Sequence, residues 1–262
     1  MDQTRISSRY AMARRSHEET KGGDGVEVVD RKSIEENGNQ GFEVHRIYHI
    51  KSHAPKWLRW AIPEKYAHIH EINRNPYPHF DVKFNIPDME SGFVLTNESL
   101  HIPYKNGDEI PQNILNLPEN ELKIRKVYYL DLLNGPKSSL DEYNCKGLKF
   151  PEAGIDELVG PEGISDDSKP PEWVSQYNGP ITLCIKVIRF EFRWFGLQTP
   201  IETHVTHNVF YDIFLGSYRA MYCCVNEWYK MDDEALEKYE LQVRDLCNKH
   251  EFDKDDKEIA QN

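Results

Sequence analysis

The chain contains no GxSxG elbow, no GxxxxGK[ST] phosphate loop and no three-glycine dinucleotide fingerprint. The commonest hydrolase, nucleotide-binding and oxidoreductase signatures are therefore missing. Neither His17-Glu18 nor His70-Glu71 runs on to the second histidine that HExxH requires, and no nucleophile and base pair can be picked out, so the sequence does not read as an enzyme. Cysteine is scarce. Cys145, Cys184, Cys223, Cys224 and Cys247 form no CxxC pair, and their odd number argues against a complete disulfide framework, which fits a reducing compartment. No apolar run approaches the ~18 residues of a membrane span, and the N-terminal region lacks the apolar core of a signal peptide. These absences predict a cytoplasmic protein, at most transiently membrane-associated. Positive charge is also in deficit: 32 Lys+Arg against 44 Asp+Glu leave a formal charge of −12, so the average surface repels nucleic acid and no nucleic-acid partner is expected.

What remains is ample for a folded core, since 262 residues with 39% hydrophobic side chains suffice for one large or two small domains. From Thr4 to Glu19 the apolar residues Ile6, Tyr10 and Ala13 recur at helical spacing and stop at Gly22-Gly23. Strand-like blocks follow at Val26 to Val29, Phe42 to Ile50, Phe80 to Asn85, Phe93 to Ile102, Val127 to Leu133, Ile181 to Phe195 and Thr203 to Tyr211, separated by Gly, Pro, Asn and Asp clusters. Helical periodicity returns with Phe210, Ile213, Phe214, Met221, Tyr222, Val225 and Trp228. It resumes with Leu236, Tyr239, Val243 and Leu246 after the acidic start Asp232-Asp233-Glu234. Helix, many strands and then helices predict an α+β fold with an antiparallel sheet. Residues 151–180 hold five prolines and few periodic apolar residues, so they read as a long surface loop pinned by Trp173, and 251–262 as a charged flexible tail.

One strand, Ile181 to Trp194, is largely apolar on both faces, and another, Phe42 to Ile50, is apolar along one face; each carries a single cation inside an apolar row. Ile181 to Trp194 carries Lys186 among Thr182, Cys184, Ile188, Phe190 and Phe192, while Phe42 to Ile50 carries Arg46 among Phe42, Val44, Tyr48 and Ile50. Either these cations reach out to solvent along their aliphatic stems, or they stand in an apolar chamber and await an anionic group. Elsewhere, residues 44–66 concentrate Arg46, Lys51, Lys56, Arg59 and Lys65 against Glu64 alone, with Trp57 and Trp60 between Pro55 and Pro63. Indoles mixed with Lys and Arg suit the headgroup level of a bilayer, although tryptophans in such loops also pack on their own core. By contrast, residues 226–262 hold six basic and twelve acidic side chains. His68-x-His70-Glu71 offers potential metal ligands only if the two histidines lie on a strand; residues 66–71 read instead as a loop or strand lip, and no metal is expected.

Several blocks together resemble the phosphatidylinositol transfer proteins: GGDGVEV (22–28), HRIYHIKSHAPKWLRWAIPEKYAHIHE (45–71), NPYP (75–78), VYYLDLL (127–133), RWFGLQTPIE (193–202) and the helix around Trp228 followed by MDDEALEKYE (231–240). The order and spacing agree from about Tyr10 to Asn248, with insertions between 134 and 180. The resemblance implies a START-like, helix-grip fold in which a curved antiparallel sheet and long helices enclose a single lipid cavity closed by a C-terminal lid helix. Residues 1–250 would form one phospholipid-transfer domain. It also implies an intracellular carrier of one phospholipid, phosphatidylinositol and/or phosphatidylcholine, working as a monomer with no cofactor beyond the lipid cargo. Position by position it assigns headgroup contacts to Arg46, Asn75, Ser99, Lys186 and Glu240, with Glu237 as the other candidate on the last helix. It assigns membrane docking to Trp57, Leu58, Arg59, Trp60, Trp194 and Phe195. The family's inositol-contacting threonine falls at Val44, and a cysteine and threonine of the next strand fall at Phe80 and Val82. That substitution keeps open an inositol-free cargo such as phosphatidylcholine or phosphatidic acid, or a lipid-dependent scaffold without net transfer. The family also has a strand and short helix ahead of the position of Tyr10, where this chain has nine residues, so that strand is expected to be missing.

Overall fold

A computed structural model describes residues 2–20, 25–49, 63, 66–87, 89, 92–136, 143–161, 163, 165–193, 196 and 198–249. Helix α1 spans Asp2–Thr20. Six strands follow: β1 Gly25–Glu36, β2 Asn39–His49, β3 His68–Arg74, β4 His79–Asn85, β5 Phe93–Tyr104 and β6 Ile181–Phe192. Between β5 and β6 lie the short helices α2 (Glu119–Ile124) and α3 (Glu172–Gln176). After β6 come α4 (Gln198–His204), a π-helical turn over Val205–Val209, α5 (Phe210–Cys223), α6 (Val225–Trp228) and α7 (Asp233–Asn248). The architecture is α+β, with one open antiparallel sheet in the order β1-β2-β3-β4-β5-β6.

The sheet follows local chemistry. Asn37 and Gly38 both take positive φ, 52° and 77°, which is the two-residue turn whose twist matches a tight hairpin. Glu36 and Asn39 pair directly beneath it. This hairpin carries β1 well beyond the apolar stretch Val26 to Val29, through Asp30, Arg31 and Lys32, with a bulge between Val28 and Asp30. At Gly41 the chain passes so close to the end of β3 that an added Cβ would lie 2.6 Å from the Asn75 carbonyl oxygen, so glycine is required there. β5 and β6 run antiparallel: Phe93 meets Phe190 ring to ring, Ser99 meets Lys186, and the Arg193 amide donates to the Gly92 carbonyl at 2.6 Å.

Two segments differ from their sequence reading. Residues 127–133 form no strand: Val127 is 53% exposed, and the Asp131 carboxylate accepts from the Leu133 and Asn134 amides at 2.9 and 3.2 Å, turning the chain. Residues 203–211 are helical despite their β-branched Thr203, Val205, Thr206 and Val209: they run on from α4 through the π-helical turn into α5, and the local preference for strand does not prevail. Two smaller adjustments accompany these. His68 to Glu71 belongs to strand β3, and the long 151–180 connection contains the 3₁₀ turn Pro151–Ala153 and helix α3.

The chain divides into two compact units, 1–11 with 100–185 and 203–231, and 12–99 with 186–202 and 232–262. In the first, the buried Tyr10 donates its hydroxyl to Glu227 Oε2 at 2.5 Å. The buried Arg219 of α5 donates to the carbonyls of Leu132, Gly135 and Pro136 at 2.9, 3.0 and 3.3 Å, which satisfies a guanidinium that would otherwise be costly to bury. In the second, α7 starts on an Asp232 cap that accepts the Ala235 amide at 2.8 Å and buries Leu236, Val243 and Cys247 along one stripe. Its far end is tied to β1, where the Asn248 carboxamide exchanges two 2.9 Å hydrogen bonds with the backbone of Val28.

Candidate functional site

The pairing of β2, β3 and β4 fixes which side chains share a face. Val44 lies opposite Asn73 and then Val82, and Arg46 lies opposite Glu71 and then Phe84. Strand alternation adds Phe42, Tyr48 and Phe80 to that face. Arg46 is buried there rather than reaching solvent. Its Nη1 donates to Glu71 Oε1 at 2.6 Å, and the Tyr48 hydroxyl donates to Glu71 Oε2 at 2.5 Å. Burial works against the charge of Arg46, but Glu71 and Tyr48 outweigh it and the guanidinium sits above its ordinary range. Burial, and then Glu71, push Tyr48 well above the usual phenol value, so it stays a protonated donor.

The other edge of the guanidinium is poorly served. Arg46 Nη2 points at the Met12 sulfur of α1 at 3.4 Å, and Asn73 Nδ2 points at the same sulfur at 3.6 Å. A thioether is a weak acceptor. Asn73 is buried and its Oδ1 has no hydrogen-bond partner among the described residues. Two donors thus converge on one soft atom beside apolar side chains, the arrangement an oxyanion would complete.

Of the remaining residues picked from the sequence, Ser99 is fully buried and accepts from Lys186 Nζ at 3.0 Å, while donating to Asn97 at 3.2 Å. Asn75 is buried at the end of β3; its Oδ1 accepts the Phe42 amide at 2.7 Å, so half of its carboxamide holds β2 to β3. Glu240 does not stand apart from Glu237: both accept from the Arg31 guanidinium of β1 at 2.9 Å, and that guanidinium also lies 3.6 Å from the centre of the Phe42 ring. Val44, Phe80 and Val82 are all buried. Trp57, Leu58, Arg59, Trp60, Trp194 and Phe195 lie outside the described residues. Glu71, Tyr48 and Asn73 were not singled out from the sequence as partners of Arg46. Period-two alternation places Glu71 and Asn73 on one face of β3, but only the pairing register brings that face to Arg46.

The opposite face of β2 and β3 carries His45, His49, His68 and His70. His45 and His70 approach to 3.1 Å between ring nitrogens, as do His49 and His68. His70 is held below its ordinary value by burial first and then by the other three rings. Glu71 points away from them to Arg46, and no cluster of three or more metal-ligating side chains occurs among the described residues.

An N-terminal helix, an open antiparallel meander and late helices, with a buried cation and its polar partners set among apolar side chains on one sheet face, define a ligand-holding α+β protein of START-like type. A profile described as phosphatidylinositol transfer protein matches residues 1–245, and the chain belongs to that family, whose members are lipid transfer proteins and not enzymes. It is 29% identical over 261 residues to phosphatidylinositol transfer protein 1 of Dictyostelium discoideum, covering 100% of this chain and 95% of that protein. It is 27% identical over 256 residues to phosphatidylinositol transfer protein 2 of the same organism, covering 97% and 93%. With the membrane-associated phosphatidylinositol transfer protein 1 of Homo sapiens it shares 27% over 245 residues, 91% of this chain but 19% of that protein. No helix among the described residues is long and apolar enough to cross a membrane.

Proposed function

We propose that this protein carries one phospholipid, phosphatidylinositol and/or phosphatidylcholine, in an internal chamber and exchanges it between membranes. The observation that carries the reading is the converging pair of donors, Arg46 Nη2 and Asn73 Nδ2, which among the described residues share the Met12 thioether on a face lined by Val44, Phe80 and Val82. A phosphodiester would give both a strong acceptor. Its acyl chains would meet apolar side chains in place of water, where two chains of about 16 carbons cost on the order of 25 kcal/mol at ~0.8 kcal/mol per methylene. Moving lipid from bilayer to chamber is then nearly thermoneutral, and exchange becomes a question of access.

In this scheme Arg46, Asn75, Ser99, Lys186 and Glu240 surround the headgroup, and 1–250 act as one transfer domain. Trp57, Leu58, Arg59, Trp60, Trp194 and Phe195 rest at the interface during exchange. Helix α7 serves as the closing element. Its latch is the Arg31 clamp on Glu237 and Glu240. Mass spectrometry of lipid co-purifying with the protein identifies the cargo. Arg46→Ala is expected to lower transfer of phosphatidylinositol between liposomes at least tenfold while leaving liposome docking intact; unchanged transfer of every lipid would reject the assignment.

A further inference from the structure

Cys145 and Cys223 stand 78 residues apart in sequence, yet their Sγ atoms are 3.6 Å apart. Cys145 is buried in the segment 143–149, which has neither helix nor strand. Cys223 ends α5 and keeps part of its surface exposed. Downstream, the Phe150 ring packs edge-on against Tyr222 with centroids 5.5 Å apart, and the Tyr222 hydroxyl donates to the Leu148 carbonyl at 2.7 Å. These contacts keep the 143–150 segment beside the end of α5, and the two sulfurs with it.

The two thiols are not equivalent. The contact with Cys145 pulls the Cys223 thiol below its ordinary range, and Arg219, one turn earlier on α5, adds to this against the opposing push of burial. The same contact, together with burial, raises Cys145. Cys223 thus combines access with thiolate character, the two requirements for oxidation by a small molecule. Cys145 lies where a resolving thiol must.

We propose that Cys145 and Cys223 form a reversible redox modification site, oxidised by a peroxide to a disulfide that fastens the 143–150 segment to the end of α5. The Cys223 thiolate attacks one oxygen of hydrogen peroxide, and the O–O bond breaks. Cys223 becomes a sulfenic acid, and the departing hydroxide takes up a proton as water. The Cys145 sulfur then loses its proton and attacks the Cys223 sulfur; the S–O bond breaks and the hydroxyl leaves with that proton as a second water. Two thiols and one peroxide give one disulfide and two waters, with two electrons passing from sulfur to oxygen. The sulfurs must close from 3.6 Å to about 2.05 Å, a movement of the kind a χ1 adjustment supplies in a segment with no helix or strand to resist it.

The test uses the full reduced chain and hydrogen peroxide, followed by thiol titration in denaturant and peptide mapping under non-reducing conditions. Titratable thiols should fall by two from the five present, with one linked peptide containing Cys145 and Cys223, and dithiothreitol should restore all five. In Cys145→Ser the reaction should stop at the sulfenic acid, and dimedone labelling of Cys223 should rise at least tenfold over the native chain. Five surviving thiols, a link through any other cysteine, or oxidation of Cys223 beyond sulfenic acid without a link would overturn the proposal. Should Cys145→Ser not fold, the map of the native chain decides alone.

Discussion

Replacing Arg31 by Ala removes both ends of the clamp that joins β1 to α7. The Arg31 side chain is 15% exposed, its partner Glu240 17% and Glu237 50%. The Glu237 contact is the weaker, about 0.3 kcal/mol for an exposed pair. The Glu240 contact, largely withdrawn from water, contributes about 1 kcal/mol, and the guanidinium over Phe42 adds roughly 0.5–1 kcal/mol. Together these amount to about 2 kcal/mol, which corresponds to roughly a thirtyfold shift in the opening equilibrium of α7. Hydrogen exchange read by mass spectrometry separates this from global destabilisation. Peptides from 233–248 should lose about thirtyfold in protection while peptides from 210–223 keep theirs. Lipid transfer between liposomes should then change in parallel with the α7 exchange rate. If α7 protection is unaltered, or if both helices lose it equally, the clamp is not what holds the helix closed.

Other expectations concern the two faces of the β2–β3 pair. Glu71→Gln leaves the buried Arg46 charge without its counterion and should cost about 3–5 kcal/mol, seen as a lower urea midpoint at unchanged slope; an unmoved midpoint would show that Arg46 is neutralised by another group. His70 is depressed in the folded state, so its contribution is complete above the unfolded value near 6.5 and is lost as pH falls below it, because the unfolded chain takes up the proton first. Thermal melts should therefore decline below about pH 6.5, and His70→Gln should flatten that decline; an equally steep decline in the variant would assign the effect elsewhere.

Much of the fold is legible in the residues because local rules act without competition. The Asn37-Gly38 turn dictates a two-residue hairpin and its register, and the Asp232 cap followed by Leu236, Val243 and Cys247 defines α7. Where competition exists, the pattern misleads. The β-branched run at 203–209 has strand composition, yet it lies between α4 and α5 and is helical with them. The tyrosine-rich 127–133 has strand composition too, but Asp131 turns the backbone. At the site, alternation alone singles out Arg46 as a cation in an apolar row. Its counterion is not visible that way, because Glu71 lies 25 residues away and becomes its neighbour only through the pairing register of β2 and β3.

Asn248 has a consequence for how this protein behaves at high concentration. At the bulge, where β1 briefly departs from its partner β2, the carboxamide of Asn248 offers Val28 one acceptor and one donor, both at 2.9 Å. That is the same offer a peptide group of another polypeptide would make. A terminal strand of a sheet is otherwise a template for recruiting foreign chains. One amide side chain at the end of a helix therefore occupies the rung on which cross-chain assembly could begin, and keeps it from any neighbour while the helix remains docked.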